Sequence, residues 1–243
     1  MKYRILFPLV LILPVLVNAQ LKIKNAEDFK IGTVLRFQKC DTMGITAGSG
    51  GENQTWDFSQ LKLKSDTNTE WMVLPSATPY ADKFPTATQV EKYSDGSFVY
   101  VDKEKDQSNL VGYASAYMAI AYPKPVPFAK RPISYKDKCT TNFTDNFAMS
   151  GMNFSGSGTA TIEADGYGKL ILPNKTYKNV LRVKVTQLQM DTIKQYGSVS
   201  RMNTITYAWF DGNNTSALFK ISYTKSMGYN AASVEYLLSE KNK

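Results

Sequence analysis

Paired carboxylates are the residues whose types and spacing most readily allow catalysis in this chain. The 243-residue sequence has no histidine, which excludes a Ser-His-Asp triad, a Cys-His nucleophile pair and a His-ligated metal. Glu163 and Asp165 lie two residues apart on one face of a predicted strand, and Asp57 follows Trp56, whose ring can stack on a sugar. Such pairs act as acid, base or nucleophile in glycoside hydrolysis. A carboxylate-based glycoside hydrolase is therefore one alternative function, although Asp165 precedes a glycine and also fits a turn.

Aromatic side chains could form a carbohydrate-binding surface. The chain has 3 Trp, 15 Tyr and 12 Phe. Exposed in a row on a sheet face, such rings bind sugars, whereas buried they form the core. If a sheet face binds glycan, we expect Trp56, Trp71 or Trp209 to be the anchor, and Trp56 equally fits a core position.

Two other segments have the composition of ligand-binding motifs but do not match those motifs in spacing or in the element that follows. Residues 211–214 (Asp-Gly-Asn-Asn) resemble a calcium loop in composition, but the twelfth position, which needs an acidic ligand, is Ser222. Residues 155–158 (Ser-Gly-Ser-Gly) precede a strand, whereas a phosphate cradle needs a helix, so we predict a flexible loop there. With two cysteines and no histidine, a structural zinc site is excluded. We predict neither a metal nor a cofactor.

Cys40 and Cys139 are the two cysteines. An even pair favours a disulfide if the protein is exported. Closing a loop of about 100 residues would stabilise the fold by roughly 4 to 5 kcal/mol in the chain-entropy model. The alternative is two free buried thiols that behave as small apolar side chains. Both readings stay open, and Cys40–Cys139 is the disulfide candidate.

The first nineteen residues have the pattern of a secretory signal peptide. Lys2 and Arg4 form a short basic region, residues 5–17 are apolar apart from two prolines, and residues 17–19 (Val-Asn-Ala) fit a signal-peptidase site. The apolar run is shorter than the roughly 20 residues that span a bilayer. We therefore predict an exported protein in the periplasm, at the outer surface or secreted, with no transmembrane segment in the mature chain.

The charge distribution argues against a nucleic-acid partner. The chain has 29 Lys and Arg against 21 Asp and Glu, and its lysines are scattered over separate segments. A nucleic-acid-binding protein would show a concentrated basic stripe. A glycan, a lipid or an envelope protein is the expected kind of partner.

Most of the chain alternates between apolar and polar residues with a period of two, which is typical of half-buried strands. Leu181, Val183 and Val185 alternate with polar residues in this way, and many short segments of the kind are separated by Gly and Asp turns. The pattern predicts an all-β antiparallel fold, either a two-sheet sandwich or a curved, partly closed barrel. Residues 20–243 are enough for a single domain.

Turn residues predict two hairpins and one crossover. Residues 94–97 (Ser-Asp-Gly-Ser) and 165–168 (Asp-Gly-Tyr-Gly) each separate two strand-like segments. Residues 123–132 hold four of the ten prolines, and proline cannot donate a hydrogen bond within a sheet. We expect that segment to cross between two halves of the domain. Residues 110–122 fit a helix or a strand.

Several segments together resemble a module found near the start of exported Bacteroidetes proteins, many of which are type IX secretion substrates. The segments are GGENQTWDFS at 50–59, ADGYGKLILP at 164–173, TYKNVLRV at 176–183, YAWF at 207–210 and LFKI at 218–221. That family has no assigned activity, so the resemblance implies export but no functional residues. The second half is also loosely similar to the half-barrel of bacterial lipoprotein carriers, which implies a curved sheet with an apolar concave face.

Two sites resemble the Asp-Thr-apolar O-glycosylation site of the same phylum. They are Asp41-Thr42-Met43 and Asp191-Thr192-Ile193, and both also fit ordinary turn or strand positions. Thr42 and Thr192 are therefore O-glycosylation candidates.

These observations together favour an exported, non-enzymatic envelope or secreted protein. We expect it to bind a glycan, a lipid or a partner protein on a face of its β-sheet. The alternatives are the glycoside hydrolase and a purely structural or adhesive surface module.

Overall fold

A computed structural model describes residues 21–149, 151–226 and 228–242. The predicted signal peptide, residues 1–19, lies outside the described residues. Within them, short 3-10 helices lie at Pro75–Ala77 and Ala81–Lys83, and the remaining elements are strands. The strands are β1 (Lys22–Ile23), β2 (Val34–Cys40), β3 (Gly51–Asp57), β4 (Leu63–Val73), β5 (Gln89–Tyr93), β6 (Phe98–Lys103), β7 (Gln107–Ala114), β8 (Met118–Lys130), β9 (Ile133–Ser134), β10 (Lys138–Met149), β11 (Met152–Leu172), β12 (Lys175–Ile193), β13 (Ser198–Phe210), β14 (Phe219–Ser226) and β15 (Tyr229–Lys241).

Twelve of the described strands form a closed antiparallel barrel. Neighbours along the chain pair in order from β4 to β8 and from β10 to β15, β8 pairs with β10, and β2 closes the barrel by pairing with both β4 and β15. β1 and β9 form a separate small sheet, and β3 runs parallel to the end of β11. The predicted all-β antiparallel fold is confirmed, and its architecture is a barrel in which each strand pairs with both of its neighbours over at least part of its length.

One of the two predicted hairpins is present, and the turn residues at 94–97 explain it. At residues 94–97, Asp95 accepts hydrogen bonds from the backbone and side chain of Ser97, and Gly96 has φ +85°. This turn joins β5 to β6 as predicted. Residues 165–168 instead lie inside β11, whose register with β12 shifts twice in this region. The glycines there accommodate bulges in a continuous strand, so the prediction of a second hairpin is wrong.

Residues 155–158 also lie within β11, and the predicted flexible loop is wrong. Gly156 stands between Asp145 of β10 and Asp191 of β12 in the sheet register. A Cβ at Gly158 would clash with the Leu188 carbonyl oxygen and with the Phe143 ring. Glycine is used here because side chains of the neighbouring strands fill the space above it.

The proline-rich segment is a strand and not a crossover. Pro123, Pro125 and Pro127 lie within β8, which pairs with β7 over most of its length. On the other side, pairing of β8 with β10 covers only residues 118–121 and stops before the first proline. Prolines at alternate positions remove successive N–H donors from one edge of a strand. The barrel is therefore locally unpaired along this seam. Residues 110–122, which fitted a helix or a strand, are strand at 110–114 and 118–122, with a turn at 115–117 between β7 and β8.

Apolar side chains on the outer face of the barrel are covered by connecting segments in two places. Trp209 faces outward, whereas its neighbours Ala208 and Phe210 line the interior. The first outer core forms where β3 and its flanks cover β11–β15, and it includes Trp56, Phe58, Trp209, Phe219 and Ile221. The second forms where the segment between β4 and β5 covers β5–β7, and it includes Phe84, Val90, Phe98, Tyr100 and Val111. Because much apolar area is buried outside the barrel, its interior need not be filled.

The segment before β2 packs into one end of the barrel. Ile23 and Ala26 contact the interior cluster that contains Leu181 and Phe210. Arg131, only 3% exposed, donates hydrogen bonds to the carbonyl of Ala26 at 3.4 Å and to that of Gln107 at 2.7 Å, among others. Arg131 therefore links the segment before β2 to the neighbouring strand β7 through hydrogen bonds.

Candidate ligand cavity in the barrel

A cavity of about 720 Å³ lies inside the barrel. Its walls are mostly inward-facing apolar side chains, among them Ile120, Phe154, Val185, Met202 and Phe210. About eight strands make a barrel that its own side chains can fill, and larger barrels leave space. The volume is in the range of roughly 300 to 1,000 Å³ that small-molecule sites occupy. The interior can therefore hold one small apolar molecule.

Three glutamates face the cavity near the segment before β2. Glu27, Glu70 and Glu91, here called the glutamate cluster, all line it together with Lys220. The Lys220 Nζ lies 3.2 Å from Glu70 Oε1 and 2.9 Å from Glu235 Oε1. The one lysine at this place is thus already engaged by two carboxylates.

Glu27 reaches the cavity from an unusual backbone conformation. Its φ is +54°, in the left-handed region that non-glycine residues rarely adopt. The Glu27 N–H donates to the Thr215 carbonyl at 3.0 Å, which anchors the backbone. Burial raises the pKa of Glu27 to about 8, with the charge of Glu91 adding to the effect and that of Lys220 opposing it.

Glu91 is also buried where it faces the cavity. It is 7% exposed, and its Oε2 accepts a hydrogen bond from the Tyr93 hydroxyl at 3.0 Å. Burial and the charge of Glu70 raise the pKa of Glu91 to about 7, and burial raises that of Glu70 as well. Burial also acts to lower the pKa of Lys220, but Glu235 and Glu70 outweigh it and the pKa is raised. Glu27 and Glu91 therefore hold protons near neutral pH, while Lys220 stays charged.

A second acidic pair lies farther along the interior. Gln189 Nε2 donates to Asp145 Oδ2 and to Asp191 Oδ1, both at 3.0 Å. Asp145 is fully buried, and its Oδ1 has no hydrogen-bond partner among the described residues. Burial, followed by the charge of Asp191, raises the pKa of Asp145 to about 6.

The register of the sheet separates this pair from the glutamate cluster. Lys220 lies beside Ala208, which lies beside Val183 of β12. Asp191 is eight residues further along β12, which is roughly 26 Å at the rise of a strand. The polar lining of the cavity is thus acidic at two well-separated places.

The carboxylates that the sequence suggested for catalysis do not come together. Glu163 forms an ion pair with Lys138 at 3.4 Å, and Asp165 forms a two-pronged pair with Arg182 at 2.8 and 2.9 Å. Asp57 is exposed and accepts a hydrogen bond from the Ser59 backbone at 2.9 Å. Each of these three carboxylates already has a structural partner, and no cleft among the described residues brings them together.

The three candidate tryptophans have different environments. Trp56 and Trp209 are 4% and 0% exposed, and their rings meet edge to face at 5.7 Å in the first outer core. Trp71 of β4 is half-buried, with the Lys92 ammonium 5.8 Å from its ring. Of the three, only Trp71 offers accessible ring surface, so a glycan-binding role stays a prediction chiefly for that residue.

The predicted disulfide is not formed. Cys40 on β2 and Cys139 on β10 are free thiols. β2 and β10 lie on opposite sides of the barrel in the order of its strands, so their side chains cannot reach the distance that a disulfide needs. Burial raises the pKa of the Cys40 thiol to about 11. The disulfide prediction is therefore wrong, and its alternative of free thiols describes the protein.

Both O-glycosylation candidates are half-buried. Thr42 lies between β2 and β3, and Thr192 lies near the end of β12. Modification at either residue stays a prediction.

A second concavity, of about 840 Å³, lies over β10–β14. Leu188 and Met190, which are 49% and 47% exposed, line it together with Arg201 and Lys225. The described residues that line it include no carboxylate. The interior cavity is the stronger candidate because it combines enclosure with ionisable groups of shifted pKa.

Sequence reasoning missed the glutamate cluster. Gln89, Glu91 and Tyr93 share one face of a short strand, and a polar face of that kind ordinarily points to solvent. Glu27 precedes the first barrel strand and carries no motif. Only the closure of the barrel places these residues inside, so no local signal could have identified them.

No protein-family model, curated protein or solved structure matches the chain. The resemblances to exported Bacteroidetes modules and to lipoprotein carriers therefore stay predictions. Among the described residues, no helix is both long and apolar enough to cross a membrane.

Proposed function

We propose that this protein is an exported, non-enzymatic binding protein that holds one apolar or amphipathic molecule, such as a lipid, inside its barrel. The observation that carries the proposal is the cavity of about 720 Å³ with a mostly apolar wall. Binding sites for small molecules are typically apolar hollows with a few polar groups that fix orientation, and the interior of this barrel has both.

The geometry favours a lipid over the other expected partners. A glycan needs many hydrogen-bond partners over its whole length, whereas most of the surface of this wall is apolar. Two of the three tryptophans expected to stack on sugars are buried in an outer core. A folded partner protein cannot enter an interior of this size.

A carboxylate-based glycoside hydrolase is the second candidate function. Its carboxylates would be other ones than the Glu163, Asp165 and Asp57 that the sequence suggested. Asp145 and Asp191 share the Gln189 amide, and the pKa of Asp145 is about 6, which suits an acid and base pair. The complete burial of Asp145 weighs against it, because a general acid must contact its substrate. Hydrolysis of nitrophenyl glycosides that is lost in Asp191→Asn would favour this candidate.

Fluorescence titration with Nile red, a neutral dye that brightens in apolar surroundings, tests the binding proposal. We expect saturable binding of one dye per protein and its displacement by dodecanol. Absence of saturable binding to the folded protein would contradict the proposal and leave the structural or adhesive module.

A further inference from the structure

The geometry of the cavity points to a ligand that carries a cationic amine, which would bind between the carboxylates of Glu27 and Glu91 while its apolar chain follows the cavity wall. This inference rests on the proposed function and names the chemical class of its ligand.

Glu27 and Glu91 are available for such an amine. Both line the cavity, and neither forms an ion pair with any lysine or arginine of the described residues. Glu91 uses one carboxylate oxygen for the Tyr93 hydroxyl, which leaves the other free. An ammonium group has three donors and no acceptor, so two carboxylates across an enclosed space suit it.

The charges around this position oppose an anionic ligand. Lys220 lies beside Glu70, and Glu70 and Glu235 already hold it at 3.2 and 2.9 Å. The buried Arg131 donates to backbone carbonyls, among them that of Glu27 at 3.5 Å. Lys130 also lines the cavity but is exposed. A fatty-acid carboxylate would therefore meet more negative than positive charge in a site of low dielectric, where repulsion is strong.

An independent observation extends the acidic lining beyond the glutamate cluster. Asp145 is fully buried on the interior face, and its Oδ1 has no hydrogen-bond partner among the described residues. Its neighbour Asp191 lines the cavity. A buried carboxylate oxygen without a donor is costly, and a donor group on a long ligand would reach the neighbouring Asp191 carboxylate from the cavity. Both polar regions of the interior thus favour ligands that donate hydrogen bonds.

Binding of an amine is coupled to protons. The groups that act on Glu27 are Glu91, Glu70 and Glu240, which raise its pKa, and Lys220, which lowers it. A cation would bind the ionised forms of Glu27 and Glu91, whose pKa values are about 8 and about 7. The preference for an amine is therefore expected above pH 8, where both are ionised, and is lost well below pH 7, where both are protonated.

Displacement of Nile red by three molecules of equal chain length tests the inference. The competitors are dodecylamine, dodecanol and dodecanoate, each measured well below pH 7 and above pH 8. An alkylamine stays cationic at both, since its pKa resembles that of lysine. Above pH 8 we expect dodecylamine to compete at about tenfold lower concentration than dodecanol, because a buried charge pair is strong, and dodecanoate to compete least. Well below pH 7, dodecylamine and dodecanol should displace the dye at similar concentrations.

The double variant Glu27→Gln with Glu91→Gln should abolish the preference for the amine, so that above pH 8 dodecylamine and dodecanol displace the dye at similar concentrations. Glu163→Gln is the matched control, because that glutamate pairs with Lys138 on another face of the sheet, and it should behave like the unmodified protein. If the double variant does not fold, the pH series on the unmodified protein decides. Equal competition by amine and alcohol above pH 8, or tightest binding of dodecanoate, would overturn the inference alone. Failure of all three to displace the dye would instead overturn the proposed function.

Discussion

Arg182 is the charged residue whose loss should cost the fold most. It is 1% exposed, pairs with Asp165 through two hydrogen bonds and donates to the Ala47 carbonyl at 2.6 Å. Arg182→Ala would leave Asp165 without its partner, and breaking a buried pair in this way costs about 3 to 5 kcal/mol. We expect that decrease in the free energy of unfolding, measured by urea denaturation. Lys178→Ala, an exposed position on the same strand, should change it by about 0.5 kcal/mol or less, and similar losses in both variants would contradict the account.

The raised pKa values of Glu27 and Glu91 predict that stability falls as pH rises. Both acids bind a proton more tightly in the folded protein, at pKa values of about 8 and about 7 against 4.5 for the ordinary group. Their stabilising contribution is complete below about pH 4.5 and is lost as pH rises to 7 and then 8. For Glu91 the change is on the order of 3 kcal/mol.

Denaturation midpoints of the ligand-free protein between pH 5 and pH 8.5 provide the measurement, at roughly one-unit steps. Glu91→Gln should flatten the decrease, because glutamine does not titrate. A stability that rises over this interval, or an unchanged slope in the variant, would show that the glutamate cluster is not enclosed.

Burial of individual polar residues depends on contacts that the local pattern does not contain. Arg182 alternates with Leu181 and Val183 and therefore reads as the solvent side of a half-buried strand. It is buried because β3 and the residues before it cover the outer face, where Trp56 and Trp209 flank the guanidinium. Asp165 fits a turn because it precedes Gly166, and its pairing with Arg182 likewise has no local signal.

At the scale of single elements, the glycines of β11 are spacers for neighbouring side chains. Gly158→Ala would place a methyl group against the Phe143 ring and the Leu188 carbonyl. Overpacking of this kind typically costs about 1 to 3 kcal/mol. We expect that loss in thermal or urea unfolding, whereas Ser157→Ala, at the exposed neighbouring position, should be nearly neutral. A neutral Gly158→Ala would mean that β10 and β12 do not close over β11 as described.

Strands and hairpins were predictable where their signals are local. The turn at residues 94–97 has an Asp-Gly pair between two short strand patterns, and the chain does reverse there. Residues 165–168 carry the same kind of signal but bulge, because β12 continues to pair on one side and β3 adds on the other. The segments that resemble exported Bacteroidetes modules meet at this place, since residues 51–57 pair with residues 166–171. Their local likeness did not reveal that they pack on the outside of a barrel.

At the scale of the whole molecule, the closed barrel and its hollow interior follow from long-range pairing. The all-β class is readable from alternation, but closure requires β15 to pair with β2, about 200 residues away. Two outer cores bury apolar faces that a sandwich would bury between its sheets. The strand count then leaves the interior open. The same long-range strand pairing closes the barrel, creates the cavity and places the glutamate cluster inside it. None of these three features has a signature of its own in the sequence.

Filling the cavity tests most directly whether it is the binding site. Val185 lines the interior midway along β12, whereas Leu188 on the same strand faces outward and is 49% exposed. We predict that Val185→Trp weakens Nile red binding by at least about tenfold, because the ring occupies space that the ligand needs, while Leu188→Trp binds like the unmodified protein. Both should keep the far-ultraviolet circular dichroism of a β protein. Unchanged binding by a folded Val185→Trp would place the ligand elsewhere and contradict the account.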